Sequence, residues 1–201
     1  MKNTTTKLCK QRRLYFQLLI LFLGFQQANS QSTCFTNETI EFHKESETKE
    51  KTLDWLLRAA EANHAYSLHD LGLLYVQGNN TTPIDFEKAY LYFEKSAHLG
   101  IHNSMRSLGI LWQYGDGRKV DLAKAYGWYR LAGDYVPTDW DEWYMPRSKV
   151  LMFKRLAPNL AEKMTSKQIR KGDKYYEEIK SKVKCNFNVW INKNRNESVN
   201  N

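Results

Sequence analysis

The chain has 201 residues, of which 42% are hydrophobic and 26% charged, with a formal net charge of +8. Five of its basic residues fall in the first thirty positions, which hold no acid, so the remainder carries +3. That ordinary value removes the electrostatic case for nucleic-acid binding, and the remaining length suits one domain.

Residues 1–30 are predicted to be a signal peptide. Lys2, Lys7, Lys10, Arg12 and Arg13 make a positive start, Leu14–Phe25 is an apolar run, and Ala28-Asn29-Ser30 supplies small residues for cleavage after Ser30. A spanning anchor wants about 18–20 apolar residues, and this run is shorter and contains Gln17. The expected product is exported, periplasmic or secreted, with no later transmembrane span. Residues 31–51 form a polar N-terminal segment. Lipidation of Cys34 is not expected, because Gln31-Ser32-Thr33 lacks aliphatic residues. In an oxidising compartment Cys34 and Cys185 are the candidate disulfide; the alternative is two free thiols.

The region 52–134 repeats itself. Ser67-Leu68-His69-Asp70-Leu71-Gly72-Leu73-Leu74-Tyr75-Val76-Gln77-Gly78 returns 37 residues later as Ser104-Met105-Arg106-Ser107-Leu108-Gly109-Ile110-Leu111-Trp112-Gln113-Tyr114-Gly115. Asp85-Phe86-Glu87-Lys88-Ala89-Tyr90-Leu91-Tyr92-Phe93 returns 36 residues later as Asp121-Leu122-Ala123-Lys124-Ala125-Tyr126-Gly127-Trp128-Tyr129. The missing residue lies in the linker. Each unit, 67–100 and 104–133, is therefore predicted to be two helices. The first ends at Gly78 or Gly115 and the second is capped by Asp85 or Asp121. Tyr92, Phe93, Trp128 and Tyr129 are expected to fill the space between units, and Tyr75 and Trp112 to be core. Leu53 to Ala60 matches a second helix, with Trp55 aligned to Tyr92, giving a half unit over 52–63.

These residues resemble the Sel-1-like repeat family, a branch of the tetratricopeptide-like α-solenoids. The shared motif is a small residue, Leu-Gly, an aromatic and a closing Gly, then Asp-x-x-Lys-Ala and paired aromatics. The departures are the long linker Asn79–Ile84, and His102 and Asn103 where relatives often have Gly and Ala. The resemblance implies an all-α, short right-handed solenoid. It also implies adaptor, regulatory or assembly roles; exported members include proteins that bind and neutralise a toxic partner.

Residues 135–148 break the repeat with an aromatic and acidic insertion, in which Trp140, Trp143 and Tyr144 stand among Asp139, Asp141 and Glu142. Two readings are open: a binding hot spot, or a segment folded back over the last repeat. Helices are predicted from about Tyr144 to Leu156 and from the capping box Thr165-x-x-Gln168 to about Val183. The region 149–185 would then be the terminal cap of a solenoid. Residues 186–201 are a polar tail. Charge is uneven: 31–146 carries −6 and 147–195 carries +10. Two readings are open: the two ends attract each other, or the basic end faces an acidic partner or anionic lipid.

No hydrolase, zinc-protease, P-loop or paired-cysteine motif is present, so neither catalysis nor a cofactor nor a metal is expected. His98 and His102 are separated by Gly100 at a helix end and make a poor ligand pair. The sequons at Asn37, Asn79, Asn80 and Asn196 matter only in a eukaryotic source. The leading expectation is an exported protein-binding module, monomeric when free. Its candidate contacts are Tyr66, His69, Asp70, Gln77, Asn103, Arg106, Gln113, Trp140, Trp143 and Tyr144, with Leu73, Ser107 and Ile110 on the same concave face. The alternatives are an envelope or lipid binder acting through 147–195, and a β-lactam-processing enzyme. The latter follows from cysteine-rich relatives whose repeats each carry a disulfide. This chain has no cysteine between Cys34 and Cys185.

Overall fold

In the computed structural model, Phe42, Glu45 and residues 52–136 and 146–183 are described. Cys34, Cys185, the leader, Trp140, Trp143 and Tyr144 lie outside them. The described residues hold seven bounded helices and no strand: α1 Leu53–Glu61, α2 Ala65–Gln77, α3 Phe86–His98, α4 His102–Tyr114, α5 Leu122–Tyr135, α6 Arg147–Ala161 and α7 Ser166–Lys182. The helical repeat fold inferred from the sequence is the fold observed.

Local chemistry sets the helix ends. Thr52 accepts from the Trp55 amide, Asp85 from Lys88, and Asp121 from Ala123 and Lys124. The capping box at Thr165 and Gln168 forms. Gly115 takes the left-handed conformation (φ 79°, ψ 27°), whereas Gly78 has φ 65° with ψ 171° and leaves α2 in a more extended direction. The cause is the longer linker. Asn79 Oδ1 accepts from the Thr81 amide, the Thr81 hydroxyl and the Thr82 amide, winding the extra residue into a turn. Both linkers then close alike: Asp85 N–H donates to Tyr75 O at 2.8 Å and Asp121 N–H to Trp112 O at 3.0 Å.

The Leu-Gly pair has a packing reason. A Cβ on Gly72 would lie 2.5 Å from the Phe93 ring, and one on Gly109 2.4 Å from the Tyr129 ring. Phe93 and Tyr129 thus press on the first helix of their own pair, and each also reaches the next layer, Phe93 beside Met105 and Leu108 and Tyr129 beside Ala157 and Leu160. Trp128 is fully buried, but Trp112 is half-buried, its ring beneath the Arg118 guanidinium and 4.0 Å from Lys124 Nζ. A polar chain stitches the units together. His69 Nδ1 meets Ser104 Oγ, which donates to Ser96 Oγ, which donates to Ala65 O.

The end of the repeat is closed by α6 and α7, which both pack on α5. Gly127 and Gly172 let α5 and α7 touch through their backbones, since a Cβ on Gly172 would sit 2.9 Å from Ala123 O. Arg130–Asp173 and Tyr176–Asp134 contacts, and Lys171–Asp121 at 3.0 Å, fix the crossing. Helix α6 ends at Ala161, five residues beyond the expected Leu156, and runs through Pro158. Pro158 removes its bond to the preceding turn and crowds the carbonyl there, but the continuation buries Ala157 and Leu160 against Ala125 and Tyr129.

Candidate functional site

Helix α4 has two faces. Met105, Leu108 and Leu111 are buried. Arg106, Ile110, Gln113 and Tyr114 share the opposite stripe, as i, i+4, i+7 and i+8 spacing requires. Across from them, α6 contributes Leu156, Asn159 and Leu160, with Lys163 just past its end. Tyr129 of α5 lies between. Together these residues enclose a groove of about 380 Å³.

The groove floor is fixed. The Tyr129 ring rests on Gly109, and its hydroxyl donates to Gln113 Oε1 at 2.7 Å. Burial, reinforced by Tyr114 and opposed by Arg106, pushes the Tyr129 hydroxyl up to about 12, so it remains a neutral donor. Arg106 Nε is buried with no hydrogen-bond partner among the described residues.

Two other clefts differ in chemistry. One, of about 550 Å³, lies between Trp112, Lys119, Asp121, Gln168 and Lys171. Burial acts to raise the Asp121 carboxyl, but bonds from Lys171 and the Lys124 and Ala123 amides outweigh it and hold it below its ordinary value. The other, of about 420 Å³, contains Arg130 and Asp134, which already bond Asp173 and Tyr176. Asp121 and Lys171 in the first cleft, and Arg130 and Asp134 in the second, are engaged in holding α7. The α4–α6 groove has not spent its polar groups in that way.

The sequence-selected residues therefore separate. Arg106, Ile110 and Gln113 line the groove, with Asn103 one turn upstream of Arg106. Their first-unit counterparts do not join them. His69 is half-buried, bonded to Ser104 with its ring 5.5 Å from Phe93. Tyr66 and Asp70 are half-buried on α2, and Gln77 is exposed at its end. Missed by sequence reasoning were Tyr114, Tyr129, Leu156, Asn159, Leu160 and Lys163. Tyr114 had a signal, because it stands in register with Gln77. The α6 residues had none, since no repeat match places that helix beside α4. Among the described residues no group of three or more His, Cys, Asp or Glu could hold a metal. No described helix is long and apolar enough to cross a membrane.

Comparison with known proteins gives a consistent result. The Sel1 repeat model matches residues 49–64, 65–101 and 102–134. Over 105 residues the chain is 31% identical to the uncharacterized protein NMB1327 of Neisseria meningitidis, covering 51% of this chain and 21% of that one. Over 127 residues it is 28% identical to the protein DSF2 of Saccharomyces cerevisiae, covering 61% of this chain and 17% of that one. It thus spans about a fifth of the length of these relatives. The crystal structure of c5321, a protective antigen of uropathogenic Escherichia coli strains displaying an SLR fold, superposes with a TM-score of 0.56 at 18% identity. That match covers 73% of this chain and 30% of the other, and the likeness is one of fold.

Proposed function

Since residues 49–134 of this chain are Sel1 repeats, we propose that the protein is a non-enzymatic binding scaffold whose α4–α6 groove receives another protein. One observation carries the reading. The groove combines apolar walls from Ile110, Leu156 and Leu160 with polar groups left over by the fold. Such a mixture is what protein-binding hot spots use. The test is a photo-crosslinking amino acid placed at Ile110 and, as a control, at Lys95 on α3. A discrete protein adduct at position 110 and none at 95 supports the proposal. The same adduct at both positions, or none at either, overturns it.

We further propose that the scaffold works outside the cytoplasm, as a regulator or inhibitor-type binder. The support is the basic, apolar and small-residue leader of residues 1–30. N-terminal sequencing should find Gln31 first; an uncleaved Met1 start refutes it. Export would place Cys34 and Cys185 under oxidising conditions, where we propose that they pair. Two reactive thiols in the unreduced, denatured protein would rule that out. A second reading, binding to an anionic surface, draws on exposed Lys167, Arg170 and Lys174 along one side of α7, a helix with no acid in its first turn. Sedimentation with anionic but not with neutral vesicles would favour it.

A further inference from the structure

Among the described residues, the groove is lined by two cations, Arg106 and Lys163, and by no carboxylate. Two other half-buried arginines among the described residues have acidic partners: Arg118 meets Glu87 at 3.3 Å, and Arg130 pairs with Asp173. Arg106 is half-buried and has no acidic partner among the described residues, and its Nε, like that of Arg118, is withdrawn from water without an acceptor. A desolvated guanidinium edge without a counter-charge costs stability, so folding alone gives no reason to keep it.

The neutral groups point the same way. Gln113 Oε1 accepts from the Tyr129 hydroxyl, and the Gln113 amide nitrogen adds donor capacity. The groove therefore offers donors: the guanidinium, the Lys163 ammonium and the Gln113 amide N–H. Around them lie Ile110, Leu156, Leu160 and Tyr114, the last 67% exposed. A ligand complementary to this surface carries a carboxylate flanked by apolar side chains. Arg favours carboxylates because its planar fork gives two parallel hydrogen bonds.

We infer that the α4–α6 groove binds an acidic, apolar-flanked segment of a partner protein, with Arg106 as the residue that reads the carboxylate. This rests on the scaffold reading above and adds the chemistry of the partner. The test is selection of displayed random peptides on the full chain, followed by anisotropy titration of the enriched sequences. The expected peptides hold Asp or Glu beside Leu, Phe or Trp. Their affinity should fall about 30-fold or more in Arg106→Gln, and should fall as salt rises. Replacing the peptide's Glu by Gln should weaken binding to wild type and leave Arg106→Gln unchanged. Without ligand, Arg106→Gln should melt at or above the wild-type temperature, because an uncompensated charge is gone.

The failures are distinguishable. Peptides lost in Ile110→Asp yet indifferent to Arg106→Gln, and lacking acids, would overturn the acidic specificity and leave the groove as the binding site. Peptides indifferent to both variants would overturn the groove itself. Binding that arises only after residues 137–145 are replaced by a Gly-Ser linker would assign the groove to the chain's own Asp139, Asp141 and Glu142, and would overturn a partner as its occupant.

Discussion

At the scale of single residues, the repeat motif turns out to be a set of pairings. Gly109 is small because the Tyr129 ring occupies the place of its side chain. That ring is also held by Gln113, so it has little room to retreat. Gly109→Ala should therefore lose about 1–3 kcal/mol by overpacking, read as a lower urea midpoint with an unchanged slope. His102 is the opposite case, a polar residue where the first unit has Ala65. It is 2% exposed, both ring nitrogens lack hydrogen-bond partners among the described residues, and its ring centre lies 4.8 Å from that of Phe153 in an edge-on arrangement. Burial, with a smaller contribution from His69, lowers it from 6.5 to about 4. Between those values the unfolded chain takes up a proton that the folded chain refuses. Stability from this group is thus full above pH 6.5 and lost as pH falls toward 4, on the order of 3 kcal/mol at the lower end. Urea titrations of wild type and His102→Ala at pH 7 and pH 4.5 should show the smaller acid loss in the variant. The spacings of 37 and 36 made Gly109 and Tyr129 legible as members of a repeat. It did not reveal which residues they touch, because contact depends on the helix crossing and not on the period.

At the scale of elements, α5 is the centre of the molecule. It packs on α4, α6 and α7, and seven of its residues are buried. The sequence held a clue to this. Leu91 in the first unit is 54% exposed, while its counterpart Gly127 is buried beneath α7. Replacement of a large residue by Gly at a matched position marks where another backbone arrives. The capping box at Thr165 was readable as a helix start, but docking of α7 on α5 was not, since it needs Gly127 and Gly172 to meet. Gly172→Ala pushes a methyl to within 2.9 Å of a carbonyl oxygen, which cannot swing aside as a side chain does. Hydrogen exchange should show protection lost along α7, with α2 and α3 retaining theirs. Uniform protection in the variant would mean that α7 is held by its ion pairs alone.

At the scale of the whole molecule, stability passes between adjacent helices, and Trp128 sits where most of them meet. It is fully buried and shares one cluster with Phe93, Leu108, Phe153 and Tyr176. Trp128→Ala should cost about 3–5 kcal/mol, measured by thermal unfolding, and should loosen both the second unit and the closing helices. An unchanged melting temperature would contradict the observed core. The two linkers behave differently from that core. One is a residue longer than the other, yet Asp85 still reaches Tyr75 O just as Asp121 reaches Trp112 O. Chain length between Gly78 and Asp85 is thus uncoupled from the stacking of the helices, which makes this turn a natural port for grafted sequence. Doubling the loop there should add about 0.6 kcal/mol in closure entropy to the loss of the Asn79 bonds to Thr81 and Thr82, so a tetracysteine tag or an epitope set between Asn80 and Thr81 would loosen that turn while the groove at the other unit kept its shape.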